Sequence, residues 1–140
     1  MNGNRTFTII KPAAISNGNL GKILAIINEA DFKIIALKML RLPFKSAEEF
    51  YIVHKDKPFY KDLCIFMSSG PIVAAILEKE NAIEDYRKLI GATNPEEAQK
   101  GTIRKLFATS MQQNAVHGSD SDENAIIESN FFFSGIERYN

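Results

Sequence analysis

The apolar positions of this chain follow two periods, and the points where one gives way to the other mark its elements. Residues 6–10 are β-branched and aromatic, and Lys11-Pro12 stops the run, the pattern of a strand. After turn residues at 16–19, Leu20, Ile23, Leu24, Ile27 and Ala30 recur at helical spacing as far as Asp31. Residues 33–42 return to a period of two, with Ile34, Ala36, Lys38 and Leu40 set against Ile35, Leu37, Met39 and Arg41, and Pro43 ends this longer strand. Ser46 with Glu49 three residues on is a capping-box pattern, which predicts a helix carrying Phe50, Tyr51, Val53 and His54. Beyond the charged break at 55–58, residues 59–67 predict a second short helix, and Ser68-Ser69-Gly70 a turn.

Residues 71–77 form an apolar run suited to a central strand, with Pro71 tolerable at its first position. Residues 81–90 predict a helix on which Glu84 and Lys88 are spaced to pair. The stretch 91–101 mixes turn residues, with a helical turn expected at 96–99, and 102–107 is a short helix at best. A last strand at 114–117 leads to a helix at 121–129, capped by Ser121 with Asp122 and Glu123 in its first turn. Phe131, Phe132 and Phe133 are too apolar to leave in water. Strands and helices therefore alternate through a single expected domain, 1–140, which favours an α/β sandwich of sheet and helices over a bundle or a β-sandwich. Spacing alone leaves the strand order open.

Composition narrows the function classes. Lys and Arg number 17, as do Asp and Glu, so the formal net charge is zero. That argues against a general nucleic-acid binder while leaving room for a local cationic pocket. No long apolar segment stands at the start or elsewhere, so neither a signal peptide nor a membrane span is expected and the expected location is cytoplasmic. The one cysteine, Cys64, has no internal disulfide partner, suits a reducing compartment, and sits between Leu63 and Ile65-Phe66 as a buried thiol would. With two histidines and one cysteine, no dedicated metal-ligand cluster is expected.

The chemistry concentrates in Asn114-Ala115-Val116-His117-Gly118-Ser119-Asp120-Ser121, where an imidazole ends an apolar run and a hydroxyl- and carboxylate-rich turn follows. Gly118 lets backbone approach a ligand and Ser119 supplies a small donor. By contrast, Gly18-Asn19-Leu20-Gly21-Lys22 only imitates a phosphate loop: Ser16 stands where Gly is needed and Ile23 where Ser or Thr is needed. It reads as a turn feeding a helix. Taken singly, Lys11, Arg87, Arg104 and Glu128 read as solvated charges, and Phe59 equally well as a core residue.

The whole chain resembles the nucleoside diphosphate kinases. The histidine segment is similar to that family's active-site signature, Thr6-Phe7-Thr8-Ile9-Ile10-Lys11-Pro12 to its opening strand, and Arg87-Lys88-Leu89-Ile90-Gly91-Ala92-Thr93-Asn94-Pro95 with Gly101-Thr102-Ile103-Arg104 to its phosphate-binding helix and loop. The resemblance implies a ferredoxin-like βαββαβ core, a four-stranded antiparallel sheet with extra helices and an inserted loop near 91–113. It implies transfer of the γ-phosphate of ATP or another nucleoside triphosphate to a nucleoside diphosphate, by a ping-pong route through phosphohistidine at His117. Glu128 would accept a hydrogen bond from the far imidazole nitrogen, and Ser119 would bond within the same network. Lys11, Tyr51, Arg87, Thr93, Arg104 and Asn114 would hold phosphates and ribose. Phe59 would stack on the base, with Leu63 and Met111 completing an apolar slot. Mg²⁺ would travel with the nucleotide, Asp120 touching its waters, and the chain would form a homo-oligomer, a tetramer or hexamer.

His54 reads as structural or as cleft lining, not as the nucleophile. Two departures stand out: Ala13 and Ala14 follow Lys11-Pro12 where the family usually has an acidic residue, and Lys100 replaces the Pro that often precedes Gly-Thr-Ile-Arg. Two other classes compete: a non-catalytic nucleotide-binding or partner-binding relative, and a phosphorelay protein whose histidine would lie on an exposed helix face.

Overall fold

The computed structural model describes residues 3–139, so residues 1, 2 and 140 of the expected domain lie outside the described residues. Strands β1 (Arg5–Ile10), β2 (Lys33–Arg41), β3 (Pro71–Glu78) and β4 (Val116–Gly118) form one sheet in the order β2-β3-β1-β4, with every neighbouring pair antiparallel. The helices are α1 (Pro12–Ser16), α2 (Leu20–Glu29), α3 (Phe44–Phe50), α4 (Tyr60–Met67), α5 (Ala82–Ile90), α6 (Ile103–Phe107) and α7 (Asp122–Phe132). This is the ferredoxin-like α+β arrangement, with helices on both sheet faces.

Period-two alternation divides the core. Phe7, Ile9, Ile72, Ala74 and Ile76 point to one face, where α3, α4 and α7 cover them with Ala47, Leu63, Cys64, Met67 and Phe132. Ile10, Val73, Ala75 and Leu77 point to the other, under Ile23 and Ile27 of α2, Tyr86 and Ile90 of α5 and Ile103 of α6. β3 is buried on both faces, which is why it reads as a continuous apolar run. β2 breaks the alternation that its sequence predicts. Ile34 pairs with Leu77 and Ala36 with Ile76, so Ile35 is an extra, bulged residue, and both Ile35 and Ala36 enter the same core. Cys64 is a buried free thiol. Phe132 and Phe133 are buried, whereas Phe131 is partly open to solvent.

Several boundaries differ from expectation. Pro12 does more than stop β1: it opens α1, because its fixed φ and missing N–H suit the first helical position. α3 begins at Phe44 behind an extended Pro43, so Ser46 lies inside the helix and is not its cap. That helix ends at Phe50; Tyr51 follows it, and Ile52–His54 form a 3₁₀ turn. Residues 96–99 do not form a helix of their own; hydrogen bonds from Glu97 N to Asn94 O and from Ala98 N to Pro95 O close one turn slightly earlier. α7 runs on to Phe132, three residues beyond 129, carried by its buried stripe of Ala125, Ser129 and Phe132. The lookalike loop at Gly18 is a turn with φ of 78°, and Lys22 is exposed on α2.

Candidate active site

β4 starts two residues later than the apolar run predicts, because Asn114, Ala115 and Val116 form a tight turn. Val116 N donates to Asn114 O at 2.9 Å and Ala115 has φ of 76°. A three-residue turn of this hand is rare, and a left-handed non-glycine costs on the order of 1–3 kcal/mol. The turn brings the Asn114 side chain beside Lys11 and leaves Val116 O to accept from Arg104. From Val116 the chain pairs with β1, and His117 lies opposite Ile9. Its ring meets the edges of Phe50 and Tyr51, at centroid distances of 5.6 and 6.3 Å.

His117 Nε2 lies 2.9 Å from Glu128 Oε1. An ionised carboxylate only accepts, so the ring proton sits on Nε2 and the Nδ1 lone pair is left free. Ser119, almost fully buried, donates to the same Oε1 at 2.6 Å. Glu128 reaches this point because Ser121 caps α7, its Oγ accepting from Asn124 N, and because Glu128 shares the helix stripe of Ala125 and Phe132. Glu128 and Ser119 together fix the orientation of the ring from behind.

The cations come from three elements. Lys11, 7% exposed, follows β1 and donates from Nζ to Asn114 Oδ1 at 2.7 Å. Asn114 in turn donates from Nδ2 to Thr93 O at 3.3 Å. Among the described residues no carboxylate contacts Lys11; burial first, then the nearby Arg104 guanidinium, lower its pKa to about 7. Arg104, on α6, donates to Gly91 O and Val116 O, both at 2.9 Å, and burial lowers its pKa to about 10. Arg87, on α5, is exposed in the wall of the same cleft.

Gly91 ends α5 with φ of 88°, and a Cβ there would stand 2.6 Å from Thr102 Oγ1. Gly91→Ala is therefore expected to destabilise the protein by roughly 2–4 kcal/mol, combining left-handed strain with a clash. Chemical denaturation measures it; a loss below 1 kcal/mol would contradict the packing.

These groups line a cleft of about 1190 Å³. Of the residues singled out in the sequence, Lys11, Tyr51, Phe59, Leu63, Arg87 and Thr93 face it, and so do Arg104, Met111, Asn114, His117, Asp120 and Glu128. Ser119 stands just behind the wall. Phe59 precedes α4 and does not join the core: it is 47% exposed, in the wall of the cleft. Lys100 and Ala13, the two departures, lie outside the lining.

The Tyr51 hydroxyl, His54 Nδ1 and Arg104 Nε are buried in this wall without hydrogen-bond partners. Burial holds the Tyr51 hydroxyl protonated and pushes the His54 ring toward its neutral form. His54, expected to be structural or cleft lining, lines the cleft, stacked on Tyr51 with centroids 6.4 Å apart.

A cleft that gathers three cations around a carboxylate-held imidazole has the chemistry to handle phosphate groups. The family model described as nucleoside diphosphate kinase matches residues 4–137, and the chain belongs to that family. Nucleoside diphosphate kinases of Flavobacterium psychrophilum and Persephonella marina are 60% and 56% identical to it, covering 97% and 98% of this chain and 98% of each relative. Among solved structures, that of the Aquifex aeolicus nucleoside diphosphate kinase superposes with a TM-score of 0.94 at 49% identity, covering 96% of this chain and 98% of that one. A halophilic nucleoside diphosphate kinase from Halobacterium salinarum in complex with CDP gives 0.92 at 33% identity, covering 99% and 92%. The activity is that of the family: the terminal phosphate of a nucleoside triphosphate passes to a nucleoside diphosphate by a ping-pong route.

Proposed function

We propose that the phosphate is carried on Nδ1 of His117. The observation behind this reading is the 2.9 Å bond from Nε2 to Glu128, which leaves Nδ1 as the unprotonated nitrogen in the cleft. Its lone pair attacks the γ-phosphorus, the bond to the β-phosphate oxygen breaks, and the nucleoside diphosphate leaves with that electron pair. The Nε2 proton stays in place, and Glu128 stabilises the positive charge that the ring gains. A second nucleoside diphosphate reverses the step. A phosphorelay reading fits less well, because His117 sits mid-strand in a cleft wall and not on an open helix face.

Lys11, Arg87 and Arg104 neutralise phosphate oxygens in this account, and Tyr51, Thr93 and Asn114 hold phosphate and ribose hydroxyls. Phe59 stacks on the base beside Leu63 and Met111. Stacking reads a π-face common to all bases, so selectivity among them is weak. The donor set fits Mg²⁺ brought by the nucleotide: Asp120 is an exposed carboxylate in the cleft wall, with Oδ1 accepting from Asn124 Nδ2 at 2.6 Å, a geometry suited to touching waters of a hydrated ion. When bound, the ion would neutralise phosphate charge.

We further propose one domain spanning 1–140, a cytoplasmic location and a homo-oligomer, tetramer or hexamer. Supporting the last, β2 is an edge strand that leaves Leu37 and Met39 47% and 56% exposed. For location, Cys64 is a lone buried thiol of the kind that suits a reducing compartment, and among the described residues no helix is long and apolar enough to cross a membrane.

The test is transfer. Incubation with γ-labelled ATP should yield an acid-labile phosphoprotein that discharges onto GDP, CDP and UDP alike. An unlabelled protein, or a label that nucleoside diphosphates cannot remove, would overturn the proposal.

A further inference from the structure

Behind the sheet, on the face opposite the His117 ring, lies a hydrogen-bond chain that the reaction does not touch directly. Thr8 Oγ1 donates to His117 O at 2.7 Å, and Tyr86 OH lies 2.7 Å from the same Thr8 Oγ1. A hydroxyl has one proton, and Thr8 spends its own on the carbonyl, so Tyr86 must be the donor to Thr8. Both residues are fully buried, on β1 and α5. The Tyr86 ring packs on the next peptide as well: a Cβ added at Gly118 would stand 3.2 and 3.3 Å from Tyr86 Cδ2 and Cε2, so Gly118 leaves the space in which this ring lies. Tyr86 therefore holds the backbone on both sides of the His117–Gly118 peptide.

The helix matters as much as the contact. Tyr86 is the immediate neighbour of Arg87, and α5 turns the first toward the sheet and the second toward the cleft. One rigid turn of helix thus connects a phosphate-facing guanidinium to the main chain of the histidine.

We propose that Thr8 and Tyr86 are positioning residues, which fix the His117 peptide relative to α5 so that the imidazole stays in line with the phosphate that Arg87 faces. The inference rests on the reading of His117 as the phosphate carrier. It concerns the rate of transfer and not the affinity for nucleotide, because neither hydroxyl reaches the cleft. In-line reactions are sensitive to displacement: shifts of the order of 1 Å cost about 100-fold, and a loosened carbonyl should cost less.

The test uses Thr8→Val, which keeps the shape and removes the donor, Thr8→Ser, which restores it, and Tyr86→Phe, which keeps the ring. Single-turnover phosphorylation of His117 by ATP and equilibrium binding of ADP are measured for each. Thr8→Val should slow phosphorylation about tenfold, with ADP affinity within about twofold of the unsubstituted chain; Thr8→Ser should regain most of the rate. Tyr86→Phe should give a smaller loss, about threefold, because Thr8 keeps its bond to the carbonyl. Unchanged phosphorylation in Thr8→Val would overturn the inference, as would a loss that Thr8→Ser does not repair or one that appears only in affinity. Failure of the unsubstituted protein to label at His117 would instead sink the reading on which the inference stands.

Discussion

His117→Gln is expected to lose both phosphoenzyme formation and steady-state turnover, down to the detection limit. Glutamine keeps much of the volume and can still meet Glu128 Oε1 through its amide N–H₂, so the cleft should survive. What it lacks is a nitrogen lone pair basic enough to take a phosphoryl group. Binding of ADP should stay within severalfold of normal, because Lys11, Arg87, Arg104 and Phe59 are untouched. The cost of losing a covalent nucleophile differs in kind from that of losing a contact, since the ping-pong route has no intermediate without it. Turnover retained in this variant, measured with ATP and GDP in a coupled assay, would mean direct transfer between nucleotides and another catalytic geometry.

Lys11→Met should lower the transfer rate about 100- to 1000-fold, the loss typical of a preorganised donor to developing charge. It should also reveal how the empty cleft is held. Lys11 is buried beside Arg104 with neutral hydrogen-bond acceptors only, and its pKa of about 7 lies well below that of the unfolded chain. Across the window from about 7 to about 10.4 the unfolded state therefore binds more protons than the folded one, and stability should rise with pH. Below that window both states carry the proton, and the folded state bears the full cost of burying it. The nucleotide-free protein should thus show Tm rising between pH 7 and 9, and Lys11→Met should flatten this rise while raising Tm at pH 6. Entering phosphate favours the ammonium form, so ADP binding at pH 8 should take up protons in calorimetry, and the variant should not. A native-like pH slope in Lys11→Met would contradict this account of the lysine.

Much of this was legible in the sequence, for physical reasons that differ from element to element. β1, β3, α2 and α5 announce themselves because their apolar residues answer to a single buried face or to burial on both. The candidate site residues, which the structure gathers in one cleft, came through family resemblance: alone, Arg87 and Glu128 look like any solvated charges, and nothing in the spacing of Lys11, residue 59 and residue 117 says that one cleft gathers them. The misses were local. The Ser46–Glu49 pattern imitates a capping box, yet Pro43 had already turned the chain into α3. The bulge at Ile35 cannot be seen in a sequence whose two faces are both apolar. The turn at Ala115 was hidden because alanine rarely adopts that conformation, and only the surrounding bonds from Lys11 N and to Asn114 O enforce it. Thr8 and Tyr86 passed unmarked because a strand threonine and a helix tyrosine have no signature; their meaning lies in which carbonyl they reach.

The claim on which the rest depends is that the free nitrogen of one ring accepts the phosphate. Protein labelled uniformly with ¹⁵N, charged with ATP and held at alkaline pH, can be examined by ³¹P–¹⁵N correlation NMR together with mass spectrometry of its peptides. The phosphorus should couple to Nδ1 of His117, with Nε2 still protonated against Glu128. A phosphate on Nε2, on His54 or on any hydroxyl would contradict the account.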